Sequence, residues 1–272
     1  MRAIQLHWQR LVIVIAFCFT SAGLLTAADE PSREQIREFL LNAKVVSSKH
    51  TGKGITSPWR LTLSDGTITH DAGFQTVDEH KQRMQFNNGT TELNFVDSYK
   101  YNIAAYVLAE LIGMEDMMPV YVERKWNGQS GSLSWWLPVK MDEADRLKQK
   151  ISAPDADAWN RQMYRIRVFD ELVYDNDPNL TNVLISEDWK VWRVDFSRAF
   201  RLFKDVRDAK NLVRCDRQLY AKLKTLDGNE LKQKTKSYLT DSEVQAVMAR
   251  RDKILTYFQK LIAEKGENEI LY

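Results

Sequence analysis

The sequence predicts an α+β protein, rich in strands up to about residue 140 and mainly helical beyond it. Three observations predict this. The first is Trp59-Arg-Leu-Thr-Leu63, an alternating run closed by the turn residues Ser64-Asp-Gly66, after which residues 67–74 return as a second strand. The second is the pair of runs at 120–124 and 131–137, which flank the hairpin dipeptide Asn127-Gly128. The third is a change of period. Trp159, Met163, Ile166, Phe169, Leu172 and Val173 recur at helical spacing, as do Val244, Val247, Met248, Leu255, Phe258 and Leu261 behind the capping box Thr240-Asp-Ser-Glu243.

The remaining elements follow in order. Residues 31–41, PSREQIREFLL, place Ile36, Phe39 and Leu40 on one helical face. Gly52 and Gly54 form a flexible entrance to the first hairpin. Between the two hairpins, residues 99–114 carry Ile103, Tyr106, Val107, Leu111 and Ile112 as a helical stripe that Gly113 closes. No repeat or low-complexity linker interrupts the chain.

Residues 1–28 read as a signal peptide: basic Arg2 and Arg10, an apolar core at 11–25, and Thr26-Ala-Ala28 as a small-residue cleavage site. The apolar core is short for the ~20 residues of a spanning helix, so cleavage leaves no stable membrane span. The expected location is extracytoplasmic, either periplasmic or secreted. The chain's net charge is +2, and losing Arg2 and Arg10 with no acid brings it to 0. A neutral mature chain argues against a nucleic-acid partner. Only Cys215 survives maturation, which excludes an intramolecular disulfide and a cysteine zinc site.

The stretch YDNDPNLTNVLISEDWKVWRVDFSRAFR, residues 174–201, carries the chemistry. Residues 183–185 and 191–194 are short apolar strands joined by Ser186-Glu-Asp-Trp-Lys190. Pairing them antiparallel sets Asn182 beside the end that carries Asp195, with Asp177 on the entering loop. Two carboxylates and a carboxamide at one mouth suit a hard divalent cation, Mg²⁺ or Mn²⁺, that takes its other ligands from phosphates. A polar turn ahead of an ordinary hairpin is the bland explanation of the same residues.

On these residues the chain resembles the atypical protein-kinase-like superfamily, which includes phosphoinositide kinases, HipA-like kinases and secretory-pathway kinases. The segments that carry the resemblance are Phe169-Asp-Glu-Leu-Val173, residues 175–185 and residues 192–201. The group commonly shows an Asn-x-Asp-Arg-x₃-Asn loop and a later Ile-Asp-x-Ser segment, matched here by Asp177, Asn182, Asp195 and Ser197. Asp175 and Pro178 depart from it, where Asn and Arg are usual. The resemblance implies a two-lobed kinase-like fold, with a strand-rich N-lobe at 29–139 and a mainly helical C-lobe at 140–272. It also implies ATP or another nucleotide as cofactor, with Asp177 catalytic and Asn182 and Asp195 on the metal.

The same resemblance makes demands on the first half. Gly52 and Gly54 would cover the phosphates. The strand lysine that should reach them is replaced by Gln75, and its helix glutamate by Asn102. Lys53, Lys81 or Lys100 could stand in, though each is more simply a surface lysine. Trp136 and Leu184, with Trp135, Leu137 and Val194, could line a base slot, although aromatic residues in such places are more often core. Arg193, Arg198 and Arg201 flank Asp195 and are best explained as a structural charge network.

The sequence therefore points to an exported kinase-like protein that transfers phosphoryl from ATP to a hydroxyl acceptor on a protein, sugar or lipid. A pseudokinase that binds nucleotide or a regulatory partner without turnover is the alternative, favoured by Gln75 and Asn102. A metal-dependent phosphoesterase is a third possibility. Whether the chain is an enzyme at all depends on what replaces the missing lysine.

Overall fold

In the computed structural model, which describes residues 30–52 and 58–272, the first element starts at a capping box. The Ser32 hydroxyl accepts from the Gln35 backbone N–H, the Gln35 side chain accepts from the Ser32 N–H, and α1 runs Arg33–Asn42. The signal segment, Lys53 and Gly54 lie outside the described residues.

Three antiparallel strands follow, β1 (Lys44–His50), β2 (Trp59–Ser64) and β3 (Thr69–Gln75). Two more, β4 (Asp78–Gln85) and β5 (Thr91–Ser98), pair only with each other as a separate ribbon. β5 runs straight into α2 (Tyr99–Ile112), whose N-terminus Ser98 caps and whose C-terminus Gly113 ends in the left-handed region at φ 72°. β6 (Tyr121–Trp126) and β7 (Gln129–Trp135) then turn at Asn127-Gly128, both at positive φ, and complete a five-stranded sheet in the order β1-β2-β3-β7-β6.

Beyond it the chain turns helical. A two-residue strand β8 (Met141–Asp142) leads through α3 (Glu143–Lys148) to the long α4 (Ala156–Val173). The short hairpin of β9 (Val183–Ile185) and β10 (Val191–Arg193) adds to β8 as a three-stranded sheet. Helices α5 (Arg217–Thr225), α6 (Gly228–Thr235), α7 (Asp241–Lys265) and α8 (Glu267–Ile270) finish the chain. The expected α+β order, antiparallel sheet first and helices second, is the one found.

Alternation explains the sheet. Leu61, Leu63, Ala72, Phe74 and Leu133 are buried on one face, while Arg60, Thr62, Asp71, Gly73, Gln75 and Ser134 occupy the other, more polar one. Helix α2 is buried almost all round rather than along the predicted stripe. One apolar cluster joins the buried sheet face to Tyr106 and Leu108 of α2, Ile166, Phe169 and Leu172 of α4, and Val247, Ile254 and Phe258 of α7. Each such side chain, fully buried, contributes roughly 1.5–3 kcal/mol, so the core needs no disulfide. Residues 32–272 form one compact unit. Among the described residues no helix is long and apolar enough to cross a membrane.

The predicted strand at 131–137 stops at Trp135, and the one at 191–194 stops at Arg193. Strands β1, β4 and β5 lie outside the strands expected from the sequence. β4 is exposed along nearly its whole length, so neither of its faces is selected to be apolar.

Candidate active site

The loop that follows α4 is built from its own side chains. Tyr174 ends the helix in the left-handed region at φ 48°. The Asp177 backbone N–H then donates to Asp175 Oδ1 at 3.0 Å, and the Thr181 N–H to Asn179 Oδ1 at 3.0 Å. Asn182 N–H donates to the Asn179 carbonyl at 2.9 Å, so the loop closes where β9 starts. The hairpin register pairs Arg193 with Val183, and the Val194 N–H reaches the Asn182 carbonyl at 3.0 Å. Asn182 and Asp195 therefore flank one hairpin mouth. Both are half-buried, while Asp177 is exposed. The Asp175 carboxyl feels the charge of both Asp177 and Asp195, which places the three carboxylates in one electrostatic neighbourhood.

Asp195 sits at φ 59°, a left-handed conformation that a side-chain-bearing residue adopts at a cost. Two contacts hold it. Its backbone N–H meets the Tyr121 hydroxyl, and the next N–H, that of Phe196, donates to Asn102 Oδ1 at 2.7 Å. The other end of the same carboxamide donates to Gln75 Oε1 at 2.6 Å and approaches Ser132 Oγ at 3.4 Å. Asn102 is 1 % exposed, and every polar atom of its side chain is used. It ties strand β3 to the residue after Asp195. Gly131 lets β7 lie close against β3 at this point, since a Cβ there would lie 2.5 Å from the Gln75 carbonyl.

The arginines are structural, but their partners are not the one expected. Arg193, 2 % exposed, pairs with Asp170 at 3.1 Å and with Asp175, rather than closing on Asp195. Asp175 is thus one of two carboxylates that share the buried Arg193 guanidinium. Arg198 and Arg201 both close on Glu92 of β5. Burial, reinforced by the neighbouring Asp175 charge and opposed by Arg193, pushes the Asp170 carboxyl up to about 6.

One carboxylate was invisible in the sequence. Asp97, at the end of β5, is raised above the usual carboxyl range by burial, and Asp195's charge adds to the effect. The Ser197 side chain bonds it, while its Oδ1 is buried without a hydrogen-bond partner. The pairing of Ser98 N–H with the Ser197 carbonyl at 2.9 Å brings it there, and no local pattern could announce that contact.

The other expected site residues are placed as follows. Gly52 lies at the end of β1 with φ 65°. Trp136 is half-buried beneath the Arg60 guanidinium, 4.4 Å from its ring, and Arg60 Nε is held by Asp71 at 2.6 Å. Leu184 is half-buried in β9, on the opposite face from buried Val183 and Ile185. Lys81 pairs with Glu79 at 2.7 Å and Lys100 with Asp78 at 2.8 Å, as surface lysines do. Among the described residues no three His, Cys, Asp or Glu side chains gather as a metal cluster. A shallow depression of about 460 Å³ beside Arg217, Tyr220 and Gln259 includes none of the candidate residues.

No family model matches the chain, and no curated protein does. Among solved structures it is similar to the Helicobacter pylori proinflammatory kinase CtkA, at 8 % identity and a TM-score of 0.46, over 83 % of this chain and 98 % of that one.

Proposed function

We propose that this protein is a kinase-like phosphotransferase that binds a nucleotide with Mg²⁺ or Mn²⁺ and phosphorylates a hydroxyl acceptor outside the cytoplasm. The observation that carries the proposal is the Asn102 bridge. A helix side chain joins Gln75 on the sheet to the backbone beside Asp195, and so would couple the strand meant to face the phosphates to the hairpin meant to hold the metal. The donor set fits a hard cation, because a carboxylate at Asp195 and a carboxamide at Asn182 offer oxygen and leave room for phosphate oxygens. Bound there, the cation would screen phosphate charge. Asp177, exposed at the loop, would accept the acceptor's hydroxyl proton or orient that hydroxyl. Gly52 and Gly54 would cover the phosphates, and Trp136 and Leu184 the base. The two lobes would be residues 29–139 and 140–272, after loss of the 1–28 signal. Acceptors of protein, sugar or lipid chemistry all fit, while nucleic acid and a retained membrane span do not enter the proposal.

A second function is favoured by one specific observation. Gln75 and Asn102 bond as neutral amides, so the strand brings no cation to the phosphates. Removing even one hydrogen-bond donor to a developing anion can lower turnover by about 10²–10³. A pseudokinase would keep nucleotide binding and lose transfer.

The test is a thermal-shift titration of the full chain with ATP and Mn²⁺, followed by a phosphotransfer assay. Binding with turnover supports the enzyme, and binding without turnover the pseudokinase. Asp195→Ala is expected to abolish Mn²⁺-dependent binding. If that variant binds as the wild type does, the assignment of Asp195 is wrong.

A further inference from the structure

We propose that the β4–β5 ribbon is the positioning element for Asp195, acting through Glu92 and the arginine pair Arg198 and Arg201; its role in metal binding rests on the phosphotransferase function above. The segment needs such a device. Asp195 at φ 59° and Phe200 at φ 58° are two left-handed residues within six positions, and neither is glycine. Conformations of this kind persist only where the surroundings over-determine them.

One side of the segment is held by the helical half and α2. Val194 N–H meets the Asn182 carbonyl at 3.0 Å, Phe196 N–H meets Asn102, and Phe200 N–H meets the Val173 carbonyl at 2.6 Å. Arg250, fully buried, donates to the Arg201 carbonyl at 2.8 Å.

The other side is held by the ribbon. Each oxygen of the Glu92 carboxylate takes one guanidinium, Oε2 that of Arg198 and Oε1 that of Arg201. Arg201 also donates to the Asn94 carbonyl at 2.8 Å, and the Arg198 guanidinium lies 4.4 Å from the Phe95 ring centroid. The side chains of Glu92, Arg198 and Arg201 are only 15 %, 15 % and 7 % exposed, so water screens this clamp poorly.

A two-stranded ribbon is marginal by itself, and β4 is exposed along most of its length. Its attachment runs along β5, where Ser98 and Asp97 at the foot and Glu92 near the turn meet residues 197–201. Without Glu92, two nearly buried guanidiniums lose their shared anion. Asp97, which already feels the charge of Arg198, is the next carboxylate available to that arginine. Re-pairing with it pulls the segment out of register beside Asp195.

Hydrogen exchange of the full-length protein tests the proposal without requiring activity. In Glu92→Ala, the amides of 195–200 are expected to exchange at least about tenfold faster, while those in α7 stay as in the wild type. Glu92→Asp should restore part of the protection, and Arg83→Ala on the exposed ribbon strand should change nothing at 195–200. Mn²⁺ affinity, read by thermal shift, should fall about tenfold in Glu92→Ala. If Glu92→Ala fails to fold, the isosteric Glu92→Gln is measured in its place. Faster exchange confined to the ribbon, with 195–200 unchanged, overturns the positioning role. A wild type that binds no Mn²⁺ sinks the phosphotransferase proposal instead, and the exchange result still decides what Glu92 does.

Discussion

Residues 193–196 are held from two sides by opposite chemistry. On the helical side, Arg193 is locked between Asp170 and Asp175 and stacks 4.7 Å from the Phe196 ring. On the sheet side, Asn102 bonds Gln75 and the Phe196 N–H without any formal charge. The difference teaches where this chain keeps its cations. Arginine charge near the hairpin mouth is buried against carboxylates and serves structure, whereas the strand facing it offers only an amide. A bridge of neutral amides can fix geometry as well as an ion pair can, but it cannot neutralise a phosphate.

The sharpest way to break the comparison is Arg193→Met, which takes the shared guanidinium from buried Asp175 and half-buried Asp170. It should lower stability by about 3–5 kcal/mol in urea unfolding at neutral pH. Replacing Asp170 should show up as a pH effect. Its carboxyl is pushed up to about 6, above its unfolded value, so the folded state holds the proton longer. That favours folding fully below about pH 4 and is lost as pH rises through about 6. Wild type should therefore gain on Asp170→Asn on acidification from pH 7 to 4, by at most about 3 kcal/mol. A flat difference across that range would show that Arg193 keeps Asp170 ionised throughout.

On the sheet side, Asn102→Ala orphans the Phe196 N–H and Gln75 and should cost about 2 kcal/mol in the same unfolding measurement. The smallest change sharpens the contrast. Gln75→Lys with Asn102→Asp turns the neutral bridge into a charged one, and ATP–Mn²⁺ affinity should rise about tenfold, or roughly 1.4 kcal/mol. An unchanged affinity would mean that the Gln75 side of the sheet does not face the phosphates.

Much of this architecture was legible in the chain. The capping box at Thr240, the Asn127-Gly128 turn and the Gly113 stop are local, and each appears where its residues dictate. The hairpin register that brings Asn182 beside Asp195 was equally readable, because two short apolar runs with a five-residue connection have few ways to pair. The possibility of a Gln75–Asn102 bond was also visible, since both stood at positions where a charged pair was expected. The ribbon was not: Lys81, Arg83 and Gln85 of β4 are all exposed, so no periodicity marks the strand. Nor did Arg193, Arg198 and Arg201 reveal their partners, because Asp170, Asp175 and Glu92 lie at unrelated distances along the chain.

The sequence by itself determined the strand-rich first half and helical second half, several caps and turns, and the oxygen-bearing residues at 177, 182 and 195. Those depend on backbone preference and hydrophobic period, which act over a few residues. Tertiary structure alone decided which carboxylate each arginine meets, that Asp97 lies beside Asp195, and that a ribbon about a hundred residues upstream fastens the segment after it. Charge pairs act between whatever surfaces packing brings together, and linear spacing carries no record of that meeting.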